Sequence, residues 1–413
     1  MPRPVFCIVG AGLAGGRAAE ALRERGFEGR VVLLGSEAER PYERPPLSKA
    51  YLTGTLPERR VYLRGEDFYR ERDIELLAET RVLDLDLPRH RLGLEGGDTL
   101  AFDLLLLATG SRPGLPAVPG SDLAGVGTYR TLDDARRLKA QLASRPRVLV
   151  LGGGFLGCEL AAVARQAGCE VTVVELAPAP LAALGDLGAT FCLRRQREHG
   201  VRVLLGTSLL AFQGSASVEA ARLDSGETVP CDLALVCVGA SPRLELARAA
   251  GIECADGVIT DPGLRTSAQD VFAAGDIASW PSSLAEGRLR LEHYDNAQQQ
   301  GLAVASAMLG QPTVYDPIPY FWTEQYQDTV QLLGLLDGAD AVVVRGDAKA
   351  DSFTAFYLLK GRVRGCVAIN RLRDFAPARR LIASGRQLDA EELAAPATDL
   401  RQLAAAGDSE RTS

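Results

Sequence analysis

The chain has 413 residues, 46% hydrophobic and 24% charged side chains and a formal net charge of −7, ordinary usage for a folded protein of two to three domains at about 150 residues each. No run reaches the roughly 18 apolar residues of a membrane span, and the acidic balance argues against nucleic acid. Neither partner is expected. Met1-Pro2-Arg3-Pro4 leads straight into a strand without a signal-like stretch, so a cytoplasmic location is expected.

In chain order, Val5–Val9 reads as a buried parallel strand, followed by the turn Gly10-Ala11-Gly12-Leu13-Ala14-Gly15 and a predicted helix over residues 16–25. Glycines let the backbone turn tightly and approach a pyrophosphate, whose charge rests on the N–H groups and positive dipole of the helix N-terminus. A second strand, Arg30–Leu34, delivers Gly35-Ser36-Glu37, where either Ser36 or Glu37 is in reach of a ribose. Two prolines stiffen the loop 40–52, and Ser48 is a candidate cap for a short helix. Leu104–Leu107 is a buried strand ending in Ala108-Thr109-Gly110.

The same design then repeats. Arg147–Leu151 is a strand, Gly152-Gly153-Gly154-Phe155-Leu156-Gly157 a turn, and residues 158–166 a helix. The next strand, residues 171–174, ends at Glu175, placed to accept the 2′- and 3′-hydroxyls of an adenosine ribose and to repel a 2′-phosphate. No arginine follows within Leu176-Ala177-Pro178-Ala179-Pro180, so NADH is expected over NADPH. Further on, Val271-Phe272-Ala273-Ala274-Gly275-Asp276 is a short strand ending in a glycine and a carboxylate, suited to the hydroxyls of a ribitol chain.

These pieces, in this order with Val238-Gly239-Ala240-Ser241-Pro242, resemble the flavoproteins with two dinucleotide-binding domains, FAD in the first and NAD(P)H in the second. The expected fold is therefore α/β: two Rossmann-like domains and a C-terminal α+β domain. The FAD domain is discontinuous, 1–112 and 236–317, with an NAD domain inserted at 113–235. Prolines around 113–116 and 238–242 stiffen the crossings. From residue 318 the pattern changes to strands over 329–333, 341–345 and Ser352–Leu359 and a helix over 376–384, with a tail fraying from about Thr398.

The eight cysteines, Cys7, Cys158, Cys169, Cys192, Cys231, Cys237, Cys254 and Cys366, form no metal or iron–sulfur spacing and read as small buried hydrophobes. No metal site is expected. None lies between residues 8 and 157, where disulfide reductases and NADH peroxidases keep a redox cysteine. Electrons must then leave the flavin directly for an external acceptor.

The string Arg44-Pro45-Pro46-Leu47-Ser48-Lys49 is the most discriminating piece. It resembles the FAD-containing ferredoxin reductases that serve bacterial Rieske dioxygenases and class I cytochromes P450, a likeness running from residue 5 to about residue 385. The resemblance implies that Lys49, one of four lysines, lies by the flavin and pairs with Glu159 on the NAD-domain helix. It further implies that Arg44, Pro45, Val82, Arg130, Gly275 and Asp276 contact FAD, that Tyr294 and its neighbours His293 and Ala297 lie at the isoalloxazine, and that Trp322 is brought beside it. Gly152, Gly154, Phe155, Leu156, Val238 and Gly239 fall to NAD, with Leu156 against the nicotinamide. Three departures stand out: Ser36 replaces a usual Asp, Arg243 a usual Asn, and Tyr294 a frequent Trp. The implied activity is transfer of electrons from NADH through FAD, singly, to a [2Fe-2S] ferredoxin docking near the flavin and the C-terminal domain, on a monomer or weak dimer. Arg362, Arg364, Arg371, Arg373, Arg379 and Arg380 make that domain locally basic. The rival readings are an NADH oxidase without a redox thiol and an NADH-sensing flavoprotein similar to apoptosis-inducing factor.

Overall fold

Val5–Val9 pairs in parallel with Arg30–Leu34 on one side, Phe6 beside Val31, and with Leu104–Leu107 on the other, Cys7 beside Leu105. Val271–Ala273 and Ile74–Leu77 complete a five-stranded parallel sheet. Successive side chains point to opposite faces, so Phe6, Ile8, Val31 and Leu33 enter one core while Cys7, Val9, Val32 and Leu34 enter another. Both faces are covered, which is why these strands read as unbroken apolar runs. Helices Leu13–Glu24 and Tyr294–Met308 lie on the first face and approach closely at Gly301, where a side chain would strike the Ala14 carbonyl.

A second parallel sheet has the order Arg202–Leu204, Glu170–Val174, Arg147–Leu151, Leu233–Val236, Val126–Thr128. A third, wholly antiparallel, has the order Tyr320–Gln325, Asp328–Gly334, Arg362–Ile369, Ser352–Leu359, Ala341–Asp347. Cys158, Leu184, Phe191 and Cys192 share one core with Val330, Phe353, Tyr357, Val367 and Ile369 of the antiparallel sheet.

This computed structural model describes residues 3–405 and divides into two units. The first comprises the chain through Pro45 with Leu56–Arg112 and Ala240–Pro317; the second comprises Pro46–Thr55, Pro113–Gly239 and the chain from Ile318. Pro46–Thr55 thus groups with the second turn and the C-terminal sheet, not with the first domain as the sequence reading had it. Its bonds explain this, since the Tyr129 hydroxyl donates to the Leu47 carbonyl at 2.6 Å.

Other boundaries also shift. Both turn helices start earlier than expected, at Leu13 and Phe155, inside the glycine turns themselves. Two strands of the C-terminal sheet, Tyr320–Gln325 and Arg362–Ile369, were not anticipated, and the helix expected over 376–384 begins at Leu372. The tail does not fray from Thr398: Leu400–Ala405 is helical with Leu400, Leu403 and Ala404 buried, and the preceding segment is tied down by Arg345, which donates to the carbonyls of Pro396 and Thr398. The rest of the expected fraying lies outside the described residues.

Candidate functional site

At the first turn, Gly10 has φ +121°, and a Cβ there would collide with the Ala108 carbonyl; one on Gly15 would collide with the Gly10 carbonyl. Only glycine lets the helix close on the strand at these two points. Gly12, by contrast, faces open space. The helix Leu13–Glu24 has no side-chain cap and no acidic residue in its first turn, so its leading N–H groups are left for an anion. The second turn repeats this: Gly152 at φ +102° abuts the Cys237 carbonyl, Gly157 abuts Gly152, Gly154 is open, and Phe155–Gln166 is likewise uncapped.

Around the first turn, Ser36 is exposed, whereas the Glu37 carboxylate accepts from Tyr42 at 2.5 Å and from Arg44 at 2.9 Å. Asp276 accepts from the Ser111 hydroxyl at 2.8 Å. Gly275, at φ +82°, donates its N–H to Gln300 Oε1 at 2.7 Å. Gln300 is fully buried, and its Nε2 has no hydrogen-bond partner among the described residues. An unpaired buried donor costs about 1–3 kcal/mol, so this amide fits a ligand bearing carbonyl acceptors, as a flavin does. Thr109 Oγ1 donates to the Arg243 carbonyl at 3.1 Å, and the Arg243 N–H donates to the Gly110 carbonyl at 2.9 Å. Both of these bonds use main-chain groups of residue 243, so neither depends on whether its side chain is Arg or Asn. Tyr294 opens the helix after His293, with Ala297 buried one turn on; its hydroxyl donates to Glu43 at 2.7 Å, and burial together with that carboxylate pushes the phenol up to about 12. Val82 and Pro45 begin short elements, a strand through Asp86 and a 3-10 turn through Ser48.

In the second unit, Glu175 accepts with both oxygens, from the Gly153 N–H at 2.5 Å and the Ala177 N–H at 2.7 Å. It braces the turn through both bonds. Glu159, 4% exposed on the turn helix, pairs with Lys49 Nζ at 2.8 Å. Sequence reasoning missed two further donors to this carboxylate: Ser48 Oγ at 2.5 Å, which serves Glu159 instead of capping a helix, and Thr323 Oγ1 at 2.7 Å. Ser48 adjoins Lys49 in the motif; nothing in the sequence flags Thr323. Leu156 is half-buried, Val238 is exposed, and the Gly239 carbonyl accepts from the Gly114 N–H at 2.9 Å. Arg130 precedes the capping box Thr131–Asp134 and donates its main-chain N–H to Asp134 at 2.9 Å. Trp322 stacks on Tyr320 with ring centroids 5.6 Å apart.

Six cysteines are buried, and Cys237 and Cys254 are half-buried. Each sits where an element ends at the surface: Cys237 precedes exposed Val238, and Cys254 begins a two-residue strand. Burial pushes the thiols of Cys7, Cys192, Cys231, Cys237 and Cys366 up to about 12, which keeps them protonated and unreactive at neutral pH. Among the described residues no group of three or more His, Cys, Asp or Glu is placed to hold a metal, and no helix is long and apolar enough to cross a membrane.

Two family models match: pyridine nucleotide-disulphide oxidoreductase over residues 5–301 and reductase C-terminal over residues 320–404. The chain is 41% identical over 401 residues to the ferredoxin–NAD(+) reductase component of the biphenyl dioxygenase system of Paraburkholderia xenovorans, covering 96% of this chain and 98% of the relative. It is 39% identical over 402 residues to the corresponding subunit of the benzene 1,2-dioxygenase system of Pseudomonas putida, covering 97% and 98%. Among solved structures, the covalent putidaredoxin reductase–putidaredoxin complex aligns with a TM-score of 0.94 at 33% identity, covering 99% of this chain and 100% of that one.

Proposed function

Because the chain belongs to the pyridine nucleotide-disulphide oxidoreductase family and carries its reductase C-terminal domain, we propose that it is the NADH:ferredoxin oxidoreductase of an oxygenase system, a Rieske dioxygenase or a cytochrome P450. FAD and NAD(H) are the cofactors of this family. Bound FAD supplies the chemistry that neither NADH nor a ferredoxin has: it accepts a hydride and releases electrons one at a time. The observation that carries the reading is a pair of uncapped glycine turns in a chain without a cysteine from residue 8 to 157.

We assign the first turn, Glu37, Arg44, Gly275, Asp276 and Gln300 to FAD, with Glu37 rather than Ser36 on the ribose, because its carboxylate is already held by Tyr42 and Arg44. The second turn takes the NADH pyrophosphate and Glu175 the adenosine ribose. Lys49 and Glu159 flank the hydride path as a charge pair, so the protein contributes position and the cofactor chemistry. The remaining residues implied by the resemblance, among them Val82, Arg130, Tyr294 and Trp322, keep those roles as proposals. So do the three functional domains.

For the partner we propose a [2Fe-2S] ferredoxin docking near the flavin and the C-terminal domain of a cytoplasmic monomer or weak dimer. Arg362, Arg373 and Arg380 are the exposed members of the basic set; Arg371 is committed to Asp374 at 2.6 Å.

The test is anaerobic stopped flow with NADH followed by a [2Fe-2S] ferredoxin, watching the flavin and iron–sulfur bands. Rapid flavin bleaching followed by ferredoxin reduction is expected. Bleaching with a persistent charge-transfer band and no transfer to several ferredoxins would make the protein a sensor, and rapid reoxidation by air an oxidase.

A further inference from the structure

The strand Tyr320–Gln325 runs along the helix Phe155–Gln166 in step with it. Phe321 packs on Phe155, ring centroids 4.2 Å apart, and Thr323 bonds Glu159. Two residues along a strand advance about 6.6 Å and four along a helix about 6 Å, so every second strand residue on this face meets one helical turn. The other face carries the stacked Tyr320 and Trp322.

Hydrogen-bond polarity along the inner face is determined from one end. Gln196 Nε2 donates to the Cys158 carbonyl at 2.9 Å, and a carbonyl can only accept. The same Nε2 donates to Gln325 Oε1 at 2.9 Å, which turns Gln325 Nε2 toward Thr323 Oγ1, at 3.5 Å. The Thr323 hydroxyl, accepting there, has its own proton directed to Glu159 Oε1 at 2.7 Å. Thr323, Gln325 and Gln196 are 0%, 4% and 1% exposed, so water does not compete for these bonds. With Oε1 tied to Thr323, Oε2 is left for Ser48 and Lys49.

We propose that Thr323, contributed by the C-terminal sheet, is a positioning residue for hydride transfer: it locks the rotation of the Glu159 carboxylate and thereby gives Lys49 a single location. The inference rests on the assignment of Lys49 and Glu159 to the hydride path. Without the hydroxyl the carboxylate rotates, the ammonium is spread over several positions, and fewer encounters meet the geometry that transfer requires.

The test uses FAD-loaded protein reduced by NADH in anaerobic stopped flow, with Thr323→Val, Thr323→Ser, Lys49→Met and the double variant Lys49→Met/Thr323→Val. Thr323→Val is expected to lower the limiting rate of flavin reduction about tenfold, the scale of one hydrogen bond to a charged group, with the NADH dissociation constant nearly unchanged. Thr323→Ser restores the rate, and the double variant is no slower than Lys49→Met alone. If Lys49→Met is slow and Thr323→Val reacts at the wild-type rate, the positioning role is overturned while the charge-pair assignment stands. Wild-type rates for both overturn the assignment and this inference with it. Should the two slowings multiply in the double variant, Thr323 acts on packing and the proposal fails. If Thr323→Val does not retain flavin, Thr323→Ala removes the same hydroxyl without crowding Glu159, and a wild-type rate there also overturns it.

Discussion

Glu175 shows how one side chain takes two tasks. Its carboxylate accepts both the Gly153 and Ala177 N–H groups, so replacing it removes support for the turn as well as the proposed discrimination against a 2′-phosphate. Leu176 beside it is 71% exposed and tolerates a long cation. The double variant Glu175→Ala/Leu176→Arg is expected to prefer NADPH in steady-state kinetics, yet to remain about tenfold or more below the wild-type efficiency with NADH, since two charge-assisted bonds are lost. Unchanged NADH selectivity would remove Glu175 from the ribose site. At this scale the sequence was legible for the position of Glu175 directly after the strand Glu170–Val174, on which its proposed role rests. It was not legible for Thr323 or Gln300, whose partners Glu159 and Gly275 are reached only through packing of distant segments.

Among the elements, the two turn helices are built alike and separate the two cofactors experimentally. A side chain on Gly15 or on Gly157 would meet the carbonyl of Gly10 or Gly152 and push the helix off its strand. Gly15→Ala is expected to purify without yellow colour, because the pyrophosphate cradle of FAD is lost. Gly157→Ala is expected to purify yellow, to be bleached by dithionite, and to lose reduction by NADH; absorbance near the flavin maximum reads both. If Gly157→Ala is reduced by NADH at the wild-type rate, the second turn is not the NADH site. The parallel strands were readable because burial on both faces leaves only apolar residues. Tyr320–Gln325 and Arg362–Ile369 were not: the first is mainly aromatic and polar, the second opens Arg-Val-Arg-Gly, and their pairing is decided by the neighbours Asp328–Gly334 and Ser352–Leu359.

For the whole molecule, the acidic total of −7 coexists with exposed Arg362, Arg373 and Arg380 in the C-terminal domain. If these arginines steer an acidic ferredoxin, its reduction slows as ionic strength rises from about 0.01 M to about 0.15 M, over which the screening length falls from about 30 Å to about 8 Å. Arg373→Glu/Arg380→Glu should flatten that dependence; an unaltered salt profile places the docking surface elsewhere. Thiol chemistry gives an independent check. With five cysteines pushed up to about 12 by burial, iodoacetamide at pH 8 is expected to leave ferredoxin reduction intact, whereas loss of activity would reveal a working thiol. The sequence by itself determined the two dinucleotide turns, the absence of a cysteine from residue 8 to residue 157, and the Lys49 motif, because each is a local pattern read from neighbouring residues. Only the tertiary structure decided that Pro46–Thr55 groups with the second unit, that Ser48 and Thr323 hold Glu159, and that the chain around residues 400–405 is helical. Those outcomes depend on contacts between segments far apart in the chain, which no local pattern specifies.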